Sequence, residues 1–282
     1  MSDMWHGGDL DLDAYLDRVG FGGERTPTLA TLRALHRGHT TSIPFENLEP
    51  VLRRPVLLDV PSLQDKLVRS ERGGYCFEHA ALFAAVLERL GFDFTGVVGR
   101  VVVGAPEGTV RPATHALLVV RPEDDDRAWL CDVGFGGGPL EPLPLEDGAE
   151  SVQEGWRFRL VRLDDDEFGV RNWTLQQHGP EGWVRRHVFT QVRAFPIDFA
   201  LGSHYVATNA RSPFVARVFA QRFAVDALRQ LDNLTLITIR PDGTRETREL
   251  EPSEFIKTLA DFGIIPSGED VQNLLKVVGP TP

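Results

Sequence analysis

The sequence predicts an α+β protein in three parts: a helical bundle over residues 1–91, an antiparallel β-barrel or sheet over 92–203, and an α/β lid over 204–282. Three observations predict it. Apolar residues recur with helical period as far as Gly91, short β-branched runs between Gly, Pro and Asp clusters follow, and helix and hairpin signals mix after about Ser203. At 282 residues the chain also exceeds the ~250 at which single cores stop growing, so more than one packed unit is expected.

In the first part Leu12, Tyr15, Leu16 and Val19 share one helix face, closed by Gly20. A second helix is expected to start at Thr26-Pro27, where a capping side chain precedes a proline whose missing N–H costs nothing, and to stop at Gly38. Cys76, Ala80, Phe83, Leu87 and Leu90 then make an apolar stripe ending at Gly91, which puts Cys76 in the first turn of a buried helix. In the middle part, residues 97–103, 116–120, 156–161, 170–175 and 183–189 read as strands. The last part carries a helix opened by Ser212-Pro213, a hairpin turning at Pro241-Asp242-Gly243, and helices after Pro252 and near Asp270.

Composition narrows the function. With 42% hydrophobic and 25% charged residues and no fixed-period repeat, this is an ordinary globular chain. Asp and Glu outnumber Lys and Arg by 41 to 30, and the net charge of −11 repels nucleic-acid backbones and anionic lipid. The start, with Asp3, Asp9, Asp11 and Asp13, lacks the basic and apolar segments of a signal peptide, and no stretch approaches the ~18 apolar residues that span a membrane. Cys76 and Cys131 are the only cysteines, too few for a disulfide framework, which suits a reducing, cytoplasmic location.

The chemistry converges on Cys76. Gly73 and Gly74 allow a sharp turn delivering a side chain to a helix N-terminus, where unpaired N–H groups and the helix dipole favour a thiolate. A lone cysteine on an apolar helix is ordinarily core, so the argument needs the next pair. His115 and Asp132 lie on two strands joined by the acidic segment 121–126. A hairpin turning between Glu123 and Asp124 sets Val120 against Arg127, Leu118 against Trp129 and His115 against Asp132, on one face. The carboxylate then fixes the imidazole tautomer, leaving the other ring nitrogen for the thiol. A slip of one residue would separate the pair. Taken singly, His115 also reads as a core histidine and Asp132 as a turn residue before Gly134.

Other candidates are weaker. The run from Gly134 to Pro139 offers N–H groups that would line a groove for an anionic or pantetheine-bearing ligand, although such runs are usually plain turns. His36 and His39 lack a third metal ligand and read as surface residues, and Glu78-His79 lacks zinc-protease spacing, so no metal is expected. The acidic runs 124–126 and 164–166 read as solvated loops.

Arg72-Gly73-Gly74-Tyr75-Cys76-Phe77-Glu78 resembles the active-site segment of the arylamine N-acetyltransferases. Ile43-Pro44-Phe45-Glu46-Asn47-Leu48, Thr114-His115 and Asp132-Val133-Gly134-Phe135-Gly136 resemble further segments of that family, in the same order from about Leu12 to Phe262. The resemblance implies a cysteine-protease-like Cys-His-Asp core and a transferase with acetyl-CoA as donor and a small arylamine or arylhydrazine as acceptor. It implies two-step transfer through an acetyl-cysteine, in a role in xenobiotic metabolism. It places the donor near Thr114, Gly136, Gly137 and the segment containing His204, Tyr205 and Asn209, and the acceptor against Phe45 and Phe135. Ala80 stands where the family often has Asn, and Gly137-Gly138-Pro139 departs from many relatives' version of that loop. Two other readings keep the same residues: a peptidase or transglutaminase-like hydrolase, and a binding module that buries an inert Cys76.

Overall fold

The computed structural model describes residues 3–106, 108–163 and 172–279. Helix α1 (Leu12–Val19) is closed by Gly20 at φ 67°, and the longer α2 (Leu29–Ser42) packs beside it. The second helix starts later and runs further than its sequence signals predict. Thr28 caps it, accepting the Thr31 N–H at 3.3 Å, and Asp124 takes the Leu29 N–H at 2.7 Å from across the fold. Gly38 lies inside the helix, because a Cβ there would come within 2.6 Å of the Val19 carbonyl oxygen. The glycine serves the close crossing of two helices rather than a helix end.

The short strand β1 (Phe45–Glu46) precedes two brief helices, α3 (Leu48–Val51) and α4 (Val60–Leu63), and a π-helical turn over Gln64–Arg69. Helix α5 (Cys76–Arg89) is the centre of the first core. Every residue from Cys76 to Leu87 is buried, so the apolar stripe extends to all sides. Phe77, Leu82, Phe83 and Leu87 are fully enclosed, each contributing roughly 1.5–3 kcal/mol. Leu90 and Gly91, the latter at φ 83°, end it.

Eight antiparallel strands follow: β2 (Asp93–Val101), β3 (His115–Arg121), β4 (Trp129–Cys131), β5 (Leu143–Pro144), β6 (Glu150–Gln153), β7 (Trp156–Leu163), β8 (Asn172–Gly179) and β9 (Gly182–Thr190). They form one sheet in the order β5-β4-β3-β2-β9-β8-β7-β6, and edge strand β5 comes back against β7, nearly closing a barrel. Strand β3 is buried on both faces. Leu117 and Val119 point into the barrel core with Phe158, Leu160 and Phe189, while Ala116, Leu118 and Val120 pack on the helical core around α5. This double burial erases the polar alternation of a half-exposed strand.

The turn between β3 and β4 lies one residue later than the sequence suggests. Leu118 pairs with Cys131 and Val120 with Trp129, a register two residues from the expected one. A two-residue shift preserves the face of every side chain, so His115 and Asp132 stay on the same side as diagonal neighbours.

After β9 comes a helix that the sequence signals do not predict, α6 (Pro196–Thr208), which spans the point near residue 203 where the sequence divides the middle and last parts. Ser212-Pro213 opens only a single 3-10 turn, Pro213–Val215, instead of a helix. Strands β10 (Phe219–Phe223), β11 (Leu228–Asp232), β12 (Thr235–Ile239) and β13 (Arg245–Glu249) form an antiparallel meander, with the β12–β13 turn at Pro241-Asp242-Gly243. Strand β1 pairs with β10, so a piece of the N-terminal part becomes the edge of this five-stranded sheet. Helices α7 (Pro252–Asp261) and α8 (Gly268–Val278) pack on it through Phe255, Leu259, Phe262, Leu274 and Val278. No described helix is long and apolar enough to cross a membrane.

Candidate active site

Cys76 opens α5, and the segment before it is held by backbone contacts. Gly74 pairs with Phe45 of β1: its N–H reaches the Pro44 carbonyl at 3.3 Å and its carbonyl accepts the Glu46 N–H at 2.8 Å. A Cβ on Gly73 would sit 2.0 Å from the Pro44 oxygen, and one on Gly74 within 2.8 Å of Glu78. Neither glycine has positive φ, so close approach, and not a left-handed turn, explains the pair. Glu78 accepts the Tyr75 N–H at 3.0 Å and pairs with Lys66 at 2.7 Å, while Arg72 pairs with buried Glu46 at 2.6 Å.

His115, at the start of β3, and Asp132, just past β4, share the barrel-facing side. His115 Nε2–H donates to Asp132 Oδ1 at 2.9 Å, with both residues buried. Burial pushes the His115 pKa down, but the Asp132 carboxylate, with a smaller contribution from Cys76, outweighs it and raises the pKa to about 10. Burial likewise opposes ionisation of Asp132, yet His115 and His187 hold its carboxyl well below the usual range. The Cys76 sulfur itself lies 3.5 Å from the Thr114 carbonyl oxygen. The arrangement supplies a thiol, an imidazole lining the same cavity and a carboxylate orienting the imidazole, which are the parts of a nucleophilic centre. Cys131, one residue from Asp132, points to the other face into the helical core, and burial raises its pKa well above 9.0, as for a structural thiol.

Several histidines that sequence reasoning missed complete the site. His187 on β9 donates from Nε2 to the second carboxylate oxygen, Asp132 Oδ2, at 2.9 Å. Burial lowers its pKa, and Nδ1 has no partner among the described residues. His36 and His39 are fully buried, correcting their reading as surface residues. Burial brings the His36 pKa down to about 4, so the ring is neutral. Its Nδ1 lies 3.0 Å from the Leu140 carbonyl oxygen and its Nε2 accepts the Asp132 backbone N–H at 3.1 Å. His39 and His79 form a one-way chain: Tyr15 O–H donates to His39 Nδ1 at 2.9 Å, His39 Nε2–H to His79 Nδ1 at 2.8 Å, and His79 Nε2–H to the Gly74 carbonyl at 3.1 Å. Burial keeps both rings neutral, and the chain ends on the loop that delivers Cys76. The missed signal was the helical face that Leu32, Leu35, His36 and His39 share.

A cavity of about 1070 Å³ opens above these groups. Cys76, Thr114, His115, Phe45, Phe135 and Tyr205 line it, and strands β10 to β12 contribute a wall through Gln221, Leu228, Gln230 and Ile239. Of the residues singled out in sequence, Gly136, Gly137, His204 and Asn209 are not in the lining. The glycine run is packed rather than exposed: Gly134 lies against the Cys76 backbone, Gly136 at φ 79° against Gln221 and Gly137 against Leu228. His204 is on the exposed side of α6, and Asn209 turns back to accept the Arg211 N–H at 2.8 Å. The first acidic run is the exposed loop expected, in which Asp125 pairs with Arg127 and Asp124 caps α2, whereas 164–166 lies outside the described residues.

Comparison with known proteins places this geometry. The N-acetyltransferase family model matches residues 28–265. The arylamine N-acetyltransferase of Mycobacterium tuberculosis is 38% identical over 259 residues, covering 90% of this chain and 89% of the relative. The crystal structure of the Nocardia farcinica arylamine N-acetyltransferase is 55% identical and superposes with a TM-score of 0.93, covering 97% of each chain. The Mycobacterium marinum arylamine N-acetyltransferase, solved in complex with CoA, is 35% identical with a TM-score of 0.87, covering 95% of this chain and 99% of its own.

Proposed function

The chain belongs to the arylamine N-acetyltransferase family, and on that premise we propose that it moves an acetyl group from acetyl-CoA to the nitrogen of an arylamine or arylhydrazine through an acetyl-Cys76 thioester. One observation carries the two-step course: Cys76 and His115 line the same large cavity, and one ring nitrogen of His115 is held by Asp132. The Cys76 thiolate attacks the thioester carbonyl, and the CoA thiolate leaves with a proton from His115. The amine nitrogen then attacks acetyl-Cys76, and His115 takes its proton as the amide forms and the Cys76 thiolate is expelled. Asp132 keeps the imidazole in one tautomer throughout.

The cavity fits such a donor. Apolar walls suit a pantetheine arm, and Arg111, Arg211, Arg240 and Arg245 line it against a single acidic residue, Glu181, among the described residues, in a chain of net charge −11. That local reversal of sign suits the phosphates of CoA. The wall from β10 to β12 gives the part beyond residue 204 the work of shielding the acyl-enzyme from water.

Intact mass after incubation with acetyl-CoA alone, with rapid acid quenching, tests the reading. A gain of one acetyl group, discharged by an arylamine and absent from Cys76→Ala, is the expected result. A folded protein that gains no mass and releases no CoA thiol refutes it; peptide cleavage indifferent to acetyl-CoA would favour the hydrolase.

A further inference from the structure

Strand β9 carries a bulge beside the site. Leu175 pairs with His187 and Gln176 with Arg185, which leaves Arg186 as the extra residue, its carbonyl accepting the N–H groups of both Val102 and Val103 at 2.9 and 3.1 Å. Consecutive residues of a regular strand face opposite sides. Here both turn toward Phe135: His187 lies 5.6 Å from its ring centroid, and the Arg186 guanidinium stacks over that ring at 4.6 Å. Phe135 in turn meets His115 edge-on at 5.1 Å, so one aromatic ring separates Arg186 from the catalytic imidazole.

Arg186 is poorly partnered for its position. Its Nε is shut off from solvent with no hydrogen bond, and Nη2 makes only a long 3.4 Å bond to the Gly137 carbonyl among the described residues. No described acidic side chain forms an ion pair with it. Asp132 is the acid that favours its charge, and both Asp132 oxygens are already taken by His115 and His187. Burial lowers the Arg186 pKa to about 10, which leaves it cationic at neutral pH. A half-buried guanidinium that lines a cavity and pairs with no described carboxylate has the form of an anion receptor, and its planar fork matches a carboxylate. The CoA phosphates are a poor fit, because the pantetheine arm holds them far from the sulfur that must reach Cys76.

We infer that Arg186 anchors a carboxylate on the substrate that occupies the cavity beside Phe135, selecting carboxylate-bearing acyl groups or carboxylate-bearing aromatic acceptors over neutral ones of the same shape. The inference rests on the acyl-transfer reading above. Two matched pairs separate the possible carriers: 4-aminobenzoate against 4-aminobenzamide with acetyl-CoA, and malonyl-CoA against 3-methylbutanoyl-CoA with one neutral arylamine. Wild-type protein should prefer the carboxylate member of one pair by roughly ten- to a hundredfold in kcat/KM, the range of a hydrogen bond to a charged group. The pair that shows the preference identifies the carrier. Arg186→Met should abolish it, and Arg186→Lys, keeping charge but not the fork, should retain part of it. Turnover of the neutral members with no carboxylate preference, or a preference that survives Arg186→Met, overturns the anchor while leaving the transferase intact. Absence of turnover for all four substrates by folded wild-type protein defeats both. Calorimetric binding of benzoate, weakened tenfold or more in folded Arg186→Met, gives a readout that does not depend on acyl transfer; equal binding by both proteins counts against the anchor.

Discussion

Gly134→Ala probes how tightly the nucleophile and its base are coupled through the backbone. A Cβ on Gly134 would stand 2.8 Å from Cys76 Cα and 2.9 Å from the Cys76 carbonyl oxygen. Carbon atoms in cores approach to about 3.5 Å, so something must move by about 0.7 Å. Gly134 has no positive φ, so the conflict is steric alone. Neither side yields freely: α5 is buried all round, and the loop after Asp132 is tied down by His36. Overpacking of this kind costs about 1–3 kcal/mol, at ~2–4 °C of Tm per kcal/mol in chains approaching this size. The same shift separates Cys76 from His115. A misplacement near 1 Å costs up to about a hundredfold in rate, so a fall of roughly ten- to a hundredfold is expected. The assay is iodoacetamide alkylation of Cys76 and acetyl-enzyme formation, measured beside a thermal melt, with Gly22→Ala, which meets nothing within 4 Å, as the control. A Gly134→Ala protein matching that control in rate and Tm would refute the reasoning.

Two further outcomes follow from the buried histidines. His36→Leu removes the acceptor of the Asp132 backbone N–H and the hydrogen bond to Leu140, so stability should fall by about 1–3 kcal/mol in denaturant titration, with acetyl transfer falling more than the population of folded protein explains. Transfer that merely tracks the folded fraction would make His36 a core residue only. For pH, His115 has its pKa raised from 6.5 to about 10, so its contribution to stability is complete below pH 6.5 and is lost as pH rises through 10. Asp132, depressed below 3.8, contributes above that pH and loses its share in acid. The Tm advantage of wild type over His115→Gln should therefore be largest between about pH 4 and 6.5 and shrink toward pH 10; a gap that widens above pH 7 contradicts the pairing.

Local sequence carried much of this protein. The stripe from Cys76 to Leu90, the Gly91 stop, the turn at Pro241-Asp242-Gly243 and the helix after Pro252 are short-range signals, each set by backbone preference or the period of burial. Face alternation let His115 and Asp132 be brought together from sequence even though the register was two residues out, because side-chain direction depends only on parity. Tertiary structure decided the rest. Thr26 to Gly38 misplaced α2 because Gly38 answers to Val19 on another helix. Phe45-Glu46 joins a sheet whose next strand is more than 170 residues away, where no local period reaches. His36, His39 and His79 are polar letters on helix faces, and only the packing of α2 against α5 and the Asp132 loop turns them into a neutral hydrogen-bonded scaffold. His187 and Arg186 depend on a single-residue bulge, a mismatch between two strands that neither strand's sequence contains. Composition and period determined the elements and the nucleophile's helix; contacts between distant segments determined what orients it, since hydrogen-bond partners are properties of pairs and a sequence read locally records only single residues.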